Sequence, residues 1–278
     1  MGVCYIVGTP IGNIKDITIR AIETLSTVDV IAAEDTRHTR ILLDHYNIKK
    51  RVISYHEHNE KEATEKIIAI LDSGQSVALV SDAGMPGISD PGSILINALQ
   101  HTDHTIVSVP GPSAVTTAVS LTGTKGGFIF LGFLPEKRSE RVDIIESFKD
   151  AKLPIVLYAA PHNIEKDLTF LYSILGDRNL LVVKELTKLF ESIYRGTLSQ
   201  INIENKKGEF VLIVDCAKPT QIDDETIIKE LKTLLSKNIS KSDAVKATSL
   251  KLGVSKNLVY SVCISNQDDF KWSSDENT

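Results

Sequence analysis

The segment Ser81–Gly92 carries more chemistry than any other part of this chain. It interleaves glycines and prolines with two carboxylates, Asp82 and Asp90. A turn alone does not explain its length, because strand-to-helix connections normally need only ~2–6 residues. Glycine lets a backbone approach a ligand closely, proline stiffens a loop, and a carboxylate at a strand end can bind hydroxyl groups. The composition therefore indicates a small-molecule site.

Three further loops of unusual composition each follow an apolar run that predicts a strand. They are Gly8–Asn13, Glu34–Thr39 and Pro110–Ala114. Ligands in open α/β sheets bind outside the carboxyl ends of the strands, so all four loops are expected at one edge. Gly8–Asn13 matches neither the dinucleotide fingerprint nor a P-loop, and a tight turn explains it as well as a phosphate site does.

The charged loops are open to two interpretations. Glu34, Asp35 and Arg37 could form a surface ion-pair network, or Arg37 could bind a phosphate while a carboxylate binds a hydroxyl. Lys184–Lys188, at the end of a later strand, allows the same choice. The basic loop Gly132–Arg141 is a long connection in its simplest interpretation.

Histidines and C-terminal lysines give two weaker patterns. His56 and His58 would share one face of a strand, but no third ligand is spaced with them and no metal is predicted. A predicted pair of helices near the C-terminus is either an ordinary packed hairpin or an RNA contact. Its lysines are Lys241, Lys246, Lys251 and Lys256.

Composition limits the class of protein. The 278 residues are 42% hydrophobic and 24% charged, as in soluble globular proteins of one or two domains. No apolar run approaches the ~20 residues of a membrane span, so no membrane partner is expected. Three distant cysteines predict no disulfide framework and favour the reduced cytoplasm. The net charge of −5 argues against non-specific coating of nucleic acid but is compatible with a local basic patch.

The order of apolar runs predicts an α/β fold with a largely parallel sheet in the first half. Strands are expected at Cys4–Val7, Val28–Ala33, Val77–Val80, Thr105–Val109, Phe128–Phe133, Pro154–Tyr158, Leu180–Val183 and Phe210–Val214. We expect an N-terminal α/β domain over 1–112, a second over 113–218, a helical hairpin over 221–265 and a disordered tail over 266–278.

Taken together, the motifs resemble the ribosomal RNA small-subunit methyltransferase I family of the tetrapyrrole methylase-like superfamily. The matching stretches, in family order, are YIVGTPIGNIKDIT, IAAEDTRHTRILL, YHEHNE, VALVSDAGMPGISDPG, VPGPSA, FLGFLPEKR and KELTKLFE. The resemblance implies two α/β domains with S-adenosylmethionine in the cleft between them, usually in a homodimer. It also implies 2′-O-methylation of a cytidine ribose in small-subunit ribosomal RNA or the 30S subunit.

Site residues follow from combining the resemblance with the loops. The cofactor is expected against Ile11, Asp82, Gly84, Met85, Ser113, Ala114, Tyr158 and Leu186. RNA is expected at Arg37, His38, Lys137 and Arg138. Deprotonating a ribose hydroxyl calls for a carboxylate or a neutral lysine, and the candidates are Glu34, Asp35, Glu185 and Lys188.

Two departures from the family pattern bear on the site. Ala159 and Asn163 stand where the family commonly has glutamate and arginine, and Met85 replaces a commoner threonine. Two rivals stay open: a tetrapyrrole-precursor methyltransferase of the same superfamily and, because of the first departure, a ribosome-binding relative without catalysis. The charged loops disfavour a tetrapyrrole, because a polyanion needs such groups and a ring substrate does not.

Overall fold

Two five-stranded sheets organise the computed structural model, which describes residues 1–217, 223–237 and 239–266. Both sheets belong to one compact unit, Met1–Ala217, and a second unit covers Lys218–Thr278. The mixed α/β class predicted from the sequence is confirmed. The domain boundaries stay predictions, and the expected tail lies outside the described residues apart from Asn266.

The first sheet is entirely parallel, with the strand order β3-β2-β4-β1-β5. Its strands are β1 (Val3–Val7), β2 (Val30–Ala33), β3 (Arg51–Ser54), β4 (Val77–Val80) and β5 (Thr105–Val109). Its helices are α1 (Ile19–Thr27), α2 (Thr36–His45), α3 (Glu60–Asp72) and α4 (Ser93–Leu99), and α5 (Ala114–Ser120) follows β5. Strands β2 and β4 are fully buried because helices cover both faces, which explains their continuous apolar sequence.

The second sheet is mixed, with the order β6-β7-β10-β8-β9, and only the β6–β7 pair is parallel. Its strands are β6 (Ile129–Phe133), β7 (Ile155–Ala159), β8 (Asn179–Lys184), β9 (Ser192–Thr197) and β10 (Phe210–Val214), with helices α6 (Arg138–Ser147) and α7 (Ile164–Leu175). One face packs on α6 and α7. The other face packs on α5 and on Ile11, so the loop after β1 shares a core with the second sheet.

Several elements were not predicted from the sequence, among them α6, which begins within the basic segment 132–141. Strands β3 and β9 are edge strands, and their half-exposed, polar-containing sequences give no continuous apolar run. The charged segment taken as a loop after β2 continues into α2, whose N-cap is Asp35. The interpretation of His56 and His58 as strand neighbours is wrong, because both lie in the turn before α3.

The described residues of the second unit form three helices, one more than the predicted pair. They are α8 (Asp224–Leu235), α9 (Lys241–Leu252) and α10 (Lys256–Ser265). Each begins at a capping side chain that accepts a backbone N–H, and the three caps are Asp223, Ser240 and Ser255. Ile227, Leu231 and Val259 belong to a separate buried core in this unit. No helix among the described residues has the length and apolar character needed to cross a membrane.

Candidate active site

The predicted loops meet at the carboxyl ends of β1, β2, β4 and β5. Thr9 and Gly84 join two of them, since the Thr9 N–H donates to the Gly84 carbonyl at 2.9 Å and the Gly84 N–H donates back at 3.2 Å. The loops after β1 and β5 also approach closely. A Cβ at Gly8 would lie 2.7 Å from the Gly111 backbone, so this approach requires glycine at both positions. The loops therefore form one rigid wall.

A cavity of about 330 Å³, here called the first cavity, lies between this wall and the second sheet. Ligand pockets commonly have volumes of ~300–1,000 Å³. Its lining includes most of the residues predicted to bind the cofactor: Ile11, Gly84, Met85, Ser113, Ala114, Tyr158 and Leu186. Asp82 is the exception, and it lies in a neighbouring cavity described below.

Aromatic rings close the first cavity from the second sheet. The Tyr158 ring lies 5.1 Å from Phe130 and 5.3 Å from Phe133, measured between centroids. Phe133 is more than half exposed although it lines the cavity. Burial, followed by the charge of Asp90, raises the pKa of Tyr158 to about 12, so its hydroxyl stays neutral. This wall offers aromatic faces to a cationic ligand.

Two carboxylates that the sequence analysis did not select also line the first cavity, Asp90 and Glu209. Burial raises the pKa of Asp90 to about 7, and the nearby carboxylates of Glu34, Asp82 and Glu209 add to that shift. Asp90 belongs to Ser81–Gly92, here called the glycine–proline loop, but the sequence does not show which of the loop's two carboxylates faces which cavity. A half-buried acid in a cavity is a candidate functional group.

A second cavity, of about 290 Å³, adjoins the first. It is lined by Thr9, Pro10, Gly12, Ile14, His38, Thr39, Ile41, Leu42, Ser81, Asp82 and Lys188. Three loops contribute to both cavities, because Pro10 and Gly12 flank Ile11, Asp82 precedes Gly84, and Lys188 follows Leu186. The two cavities are therefore neighbours across shared backbone.

Reciprocal hydrogen bonds hold Asp82 on the second-cavity side. The Asp35 N–H donates to Asp82 Oδ1 at 3.1 Å, and the Asp82 N–H donates to Glu34 Oε2 at 3.3 Å. Burial raises the pKa of Glu34, and the N–H of Asp82 offsets only part of that effect. The two hydrogen bonds couple the loop after β2 to the loop after β4.

Asp35 and Arg37 form an ion pair at the start of α2. The Arg37 guanidinium donates to both carboxylate oxygens, from Nε at 3.1 Å and from Nη2 at 2.7 Å, and its N–H donates to Oδ1 at 2.8 Å. These bonds hold the pKa of the Asp35 carboxyl well below its usual range. Arg37 is 89% exposed and lines neither cavity, whereas its neighbour His38 lines the second.

A second charged network fixes the loop Lys184–Lys188, here called the KELTK loop. Glu185 Oε1 accepts from Lys188 Nζ at 3.0 Å and from the Glu209 N–H at 3.0 Å, and Lys188 Nζ also donates to Glu209 Oε2 at 2.9 Å. Glu185 and Thr187 have φ angles of +51° and +66°, a strained conformation for residues with side chains. Strain maintained by such a network commonly marks a functional loop.

These contacts set the charge states of the loop. Burial alone would raise the pKa of Glu185, but the Glu209 N–H and the Lys188 ammonium outweigh burial and lower it. Burial alone would lower the pKa of Lys188, but the Glu209 and Glu185 carboxylates outweigh burial and raise it. Glu185 is therefore a carboxylate and Lys188 an ammonium at neutral pH.

Lys137 and Arg138 lie apart from both cavities, at the start of α6. Lys137 pairs with Glu140 at 3.0 Å on the surface. Arg138 lines a separate open groove together with Arg141 and Lys166. The predicted RNA-binding residues therefore fall into two groups, one in the first turn of α2 and one at the start of α6.

The YHEHNE motif supports the glycine–proline loop. Tyr55 is fully buried, and its hydroxyl donates to Glu60 Oε1 at 3.2 Å and accepts the Leu95 N–H at 3.1 Å. Glu60 Oε1 also accepts the Gly92 N–H at 2.8 Å. Within the described residues, no cluster of three or more metal-ligating side chains includes His56 or His58. The motif fixes the end of the loop and the start of α4.

With this geometry established, comparison with known proteins assigns the chain to a family. The family model described as Tetrapyrrole (Corrin/Porphyrin) Methylases matches residues 3–202. The chain belongs to this family. Solved structures agree on the fold: a diphthine synthase has a TM-score of 0.62 at 18% identity, covering 78% of this chain and 90% of its own. The methyltransferase CobJ has a TM-score of 0.60 at 18% identity, covering 80% and 98%.

Curated relatives within the family are more similar in sequence. "Ribosomal RNA small subunit methyltransferase I" from Synechocystis sp. is 40% identical over 97% of this chain and 100% of the relative. The protein of that name from Bacillus subtilis is 39% identical over 94% and 93%. One from Thermotoga maritima is 44% identical over 77% of this chain and 98% of the relative. The resemblance drawn from the motifs is confirmed, and the chain is an S-adenosylmethionine-dependent methyltransferase.

The residues of the first cavity fit this cofactor. S-adenosylmethionine, when bound, supplies a methyl group already activated by a positively charged sulfur. Asp90 and Glu209 offer carboxylates to a cationic ligand, and the Tyr158 and Phe133 rings offer aromatic faces. Ile11 and Leu186 provide buried apolar contacts for an uncharged portion. These side chains are thus matched to a molecule that is part cationic and part apolar.

Proposed function

We propose that this methyltransferase transfers its methyl group to the 2′-hydroxyl of a cytidine ribose in small-subunit ribosomal RNA. Similarity to relatives named for that RNA, at about 40% identity over nearly the whole length, supports the substrate. The exposed basic residues Arg37 and His38 beside the site suit a polyanion. We also place the protein in the cytoplasm, where ribosomal subunits are assembled.

Among the four predicted acid–base residues, Glu34 suits proton removal best. Asp35 is tied to Arg37, Glu185 is tied to Lys188, and both of these carboxyls have lowered pKa values that make them weak bases. Lys188 is protonated. Glu34 is half-buried with a raised pKa, and although it lines neither cavity, its Oε2 accepts the N–H of Asp82, which lines the second. Glu185 and Lys188 are then positioning residues for their loop.

The reaction test offers three substrates in parallel. Purified protein with isotopically labelled S-adenosylmethionine is incubated with small ribosomal subunits, naked ribosomal RNA or a tetrapyrrole precursor. Label should appear in RNA and, after nuclease digestion, in 2′-O-methylcytidine identified by mass spectrometry. Label in the tetrapyrrole alone would contradict the proposal, and binding to subunits with no label anywhere would indicate a relative without catalysis.

Glu34→Gln separates chemistry from binding. The variant should lower the single-turnover rate on saturating subunits by about 10²-fold or more, because proton transfer contributes on that order, while cofactor affinity stays near wild type. Loss of rate only through weaker binding would remove Glu34 from the chemistry. Alignment of the two substrates would then carry the reaction.

A homodimer is also proposed, on the basis of family membership. Sedimentation velocity at micromolar concentration should give about twice the mass of the 30.5 kDa chain. A concentration-independent monomer would contradict the proposal.

A further inference from the structure

We propose that the second cavity receives the target nucleoside, with its flanking phosphates on the exposed basic side of α2. The inference rests on the proposed function, since it assumes that the methyl acceptor is RNA.

The position of the second cavity is the first argument. The backbone segments 9–12, 81–85 and 186–188 each contribute at least one residue to each cavity. A cofactor in the first cavity and an acceptor in the second would therefore meet across the same loops. Methyl transfer needs that proximity, because the enzyme's main task is to hold the acceptor oxygen in line with the donor.

Charge is the second argument, because basic side chains lie beside the second cavity, whereas no basic side chain is among the described residues that line the first. Asp90 and Glu209 line the first cavity, and they suit the cationic cofactor and repel a phosphate. The second cavity is lined by His38 and Lys188 together with the carboxylate of Asp82, and Lys188 is paired with Glu185 and Glu209. Arg37 and Arg40 are exposed on the same helix as His38. RNA phosphates are bound in this manner by basic side chains, which fix the register of the chain without reading sequence.

The lining of the second cavity is the third argument. Ile14, Ile41 and Leu42 give it an apolar surface on which a nucleobase can pack. Asp82 provides a carboxylate whose Oδ1 accepts from Asp35, while no hydrogen bond from the described residues reaches its Oδ2. A carboxylate oxygen can accept from the amino group of cytosine or from a ribose hydroxyl. A target inside a helix would have to be extruded to enter, as in enzymes that flip bases.

The test measures binding of cytidine 5′-monophosphate by ligand-observed NMR, with S-adenosylhomocysteine present. Ile41 is 67% exposed at the cavity's edge, so Ile41→Trp obstructs the cavity with little risk to the fold. Binding should weaken by about tenfold or more in Ile41→Trp, equivalent to ~1.4 kcal/mol, and also in Asp82→Asn. Ile41→Val should bind normally. The matched control is Leu153→Trp, at an exposed position before β7 and remote from the strand ends that form the site.

Calorimetry with S-adenosylmethionine and the KM for small subunits complete the test. Cofactor affinity should be the same in all variants, while the KM for subunits rises in Ile41→Trp alone among the Ile41 and Leu153 variants. The assignment would be overturned if both Ile41→Trp and Asp82→Asn bound the nucleotide with wild-type affinity. It would also be overturned if wild type bound no nucleotide at millimolar concentration. Wild type that binds the nucleotide in this cavity but methylates no RNA would instead refute the proposed function and leave the nucleotide site standing.

Discussion

At the scale of single residues, the carboxylates around the two cavities differ mainly in their affinity for protons. Asp35 is held ionised by Arg37, whereas burial raises the pKa of Glu34 and raises that of Asp90 to about 7. Three carboxylates near Asp90 disfavour a further negative charge there. A cationic cofactor would relieve this repulsion, so binding and ionisation of Asp90 should be linked.

Cofactor affinity should therefore depend on pH through Asp90. Between about pH 6 and about pH 8 the wild-type affinity should rise by roughly fivefold to tenfold as Asp90 ionises, because the carboxylate attracts the cation. Asp90→Asn should show a flat profile and the weaker affinity throughout. Calorimetry across the pH range measures both, and an equally steep profile in the variant would exclude Asp90 as the titrating group.

The same variant gives a stability check of opposite sign. Since the folded pKa of Asp90 lies above its unfolded value of about 3.9, this group lowers stability progressively as pH rises from about 4 to about 7, and the loss stays constant at higher pH. Asp90→Asn should therefore have the larger free energy of unfolding above pH 7. The difference should vanish below about pH 4, where Asp90 is protonated in both states.

Arg37 should contribute to RNA affinity without contributing to the cofactor site. Its exposed guanidinium lies at the edge of the proposed RNA surface and lines neither cavity. Arg37→Ala should weaken binding to small subunits and lower the slope of log affinity against log salt by about 1, with cofactor affinity unchanged. Filter binding at several salt concentrations measures this. An unaltered salt slope would limit Arg37 to its ion pair with Asp35.

At the scale of elements, the sequence predicted what burial and strand-end chemistry determine. Buried central strands such as β4 are continuous apolar runs, and the loops that follow them carry the unusual residues. Edge strands and the charged helix α2 have no such signal, since tertiary contacts decide their structure. The sequence also does not show to which side of a loop each residue points. Asp82 and Gly84 are two residues apart, yet they line different cavities because Asp82 is bonded to the loop after β2.

The contact at Gly12 determines how two loops meet between the cavities. A Cβ at this position would lie 2.5 Å from Lys188 Cγ and 2.9 Å from the Leu186 carbonyl oxygen, closer than real contacts allow. Gly12→Ala should displace the KELTK loop and cost about 1–3 kcal/mol of stability, as overpacking commonly does. It should also lower kcat/KM. Gly127→Ala is the matched control, because its Cβ would meet only Leu153 at 3.8 Å. Equal melting temperatures for the two variants would show that the loops accommodate a methyl group.

At the scale of the whole molecule, each unit has its own buried core. The first unit contains both sheets and both cavities, and the second contains the core of α8, α9 and α10. The Thermotoga maritima relative aligns over 98% of its own length but only 77% of this chain, so a member of the family exists without a counterpart to nearly a quarter of these residues. Cofactor binding and chemistry are therefore expected to belong to the first unit.

Truncation after Ala217 tests this division. The shortened protein should fold and bind S-adenosylmethionine with the affinity of the full chain, because every described residue that lines the first cavity lies at or before Val211. Its KM for small subunits should rise and depend less on salt, since the truncation removes the lysine-bearing helices α9 and α10. Circular dichroism and calorimetry check folding and cofactor affinity before the kinetics are interpreted. An unchanged KM would leave RNA binding to the first unit alone, and an unfolded product would show that the two units depend on one another for stability.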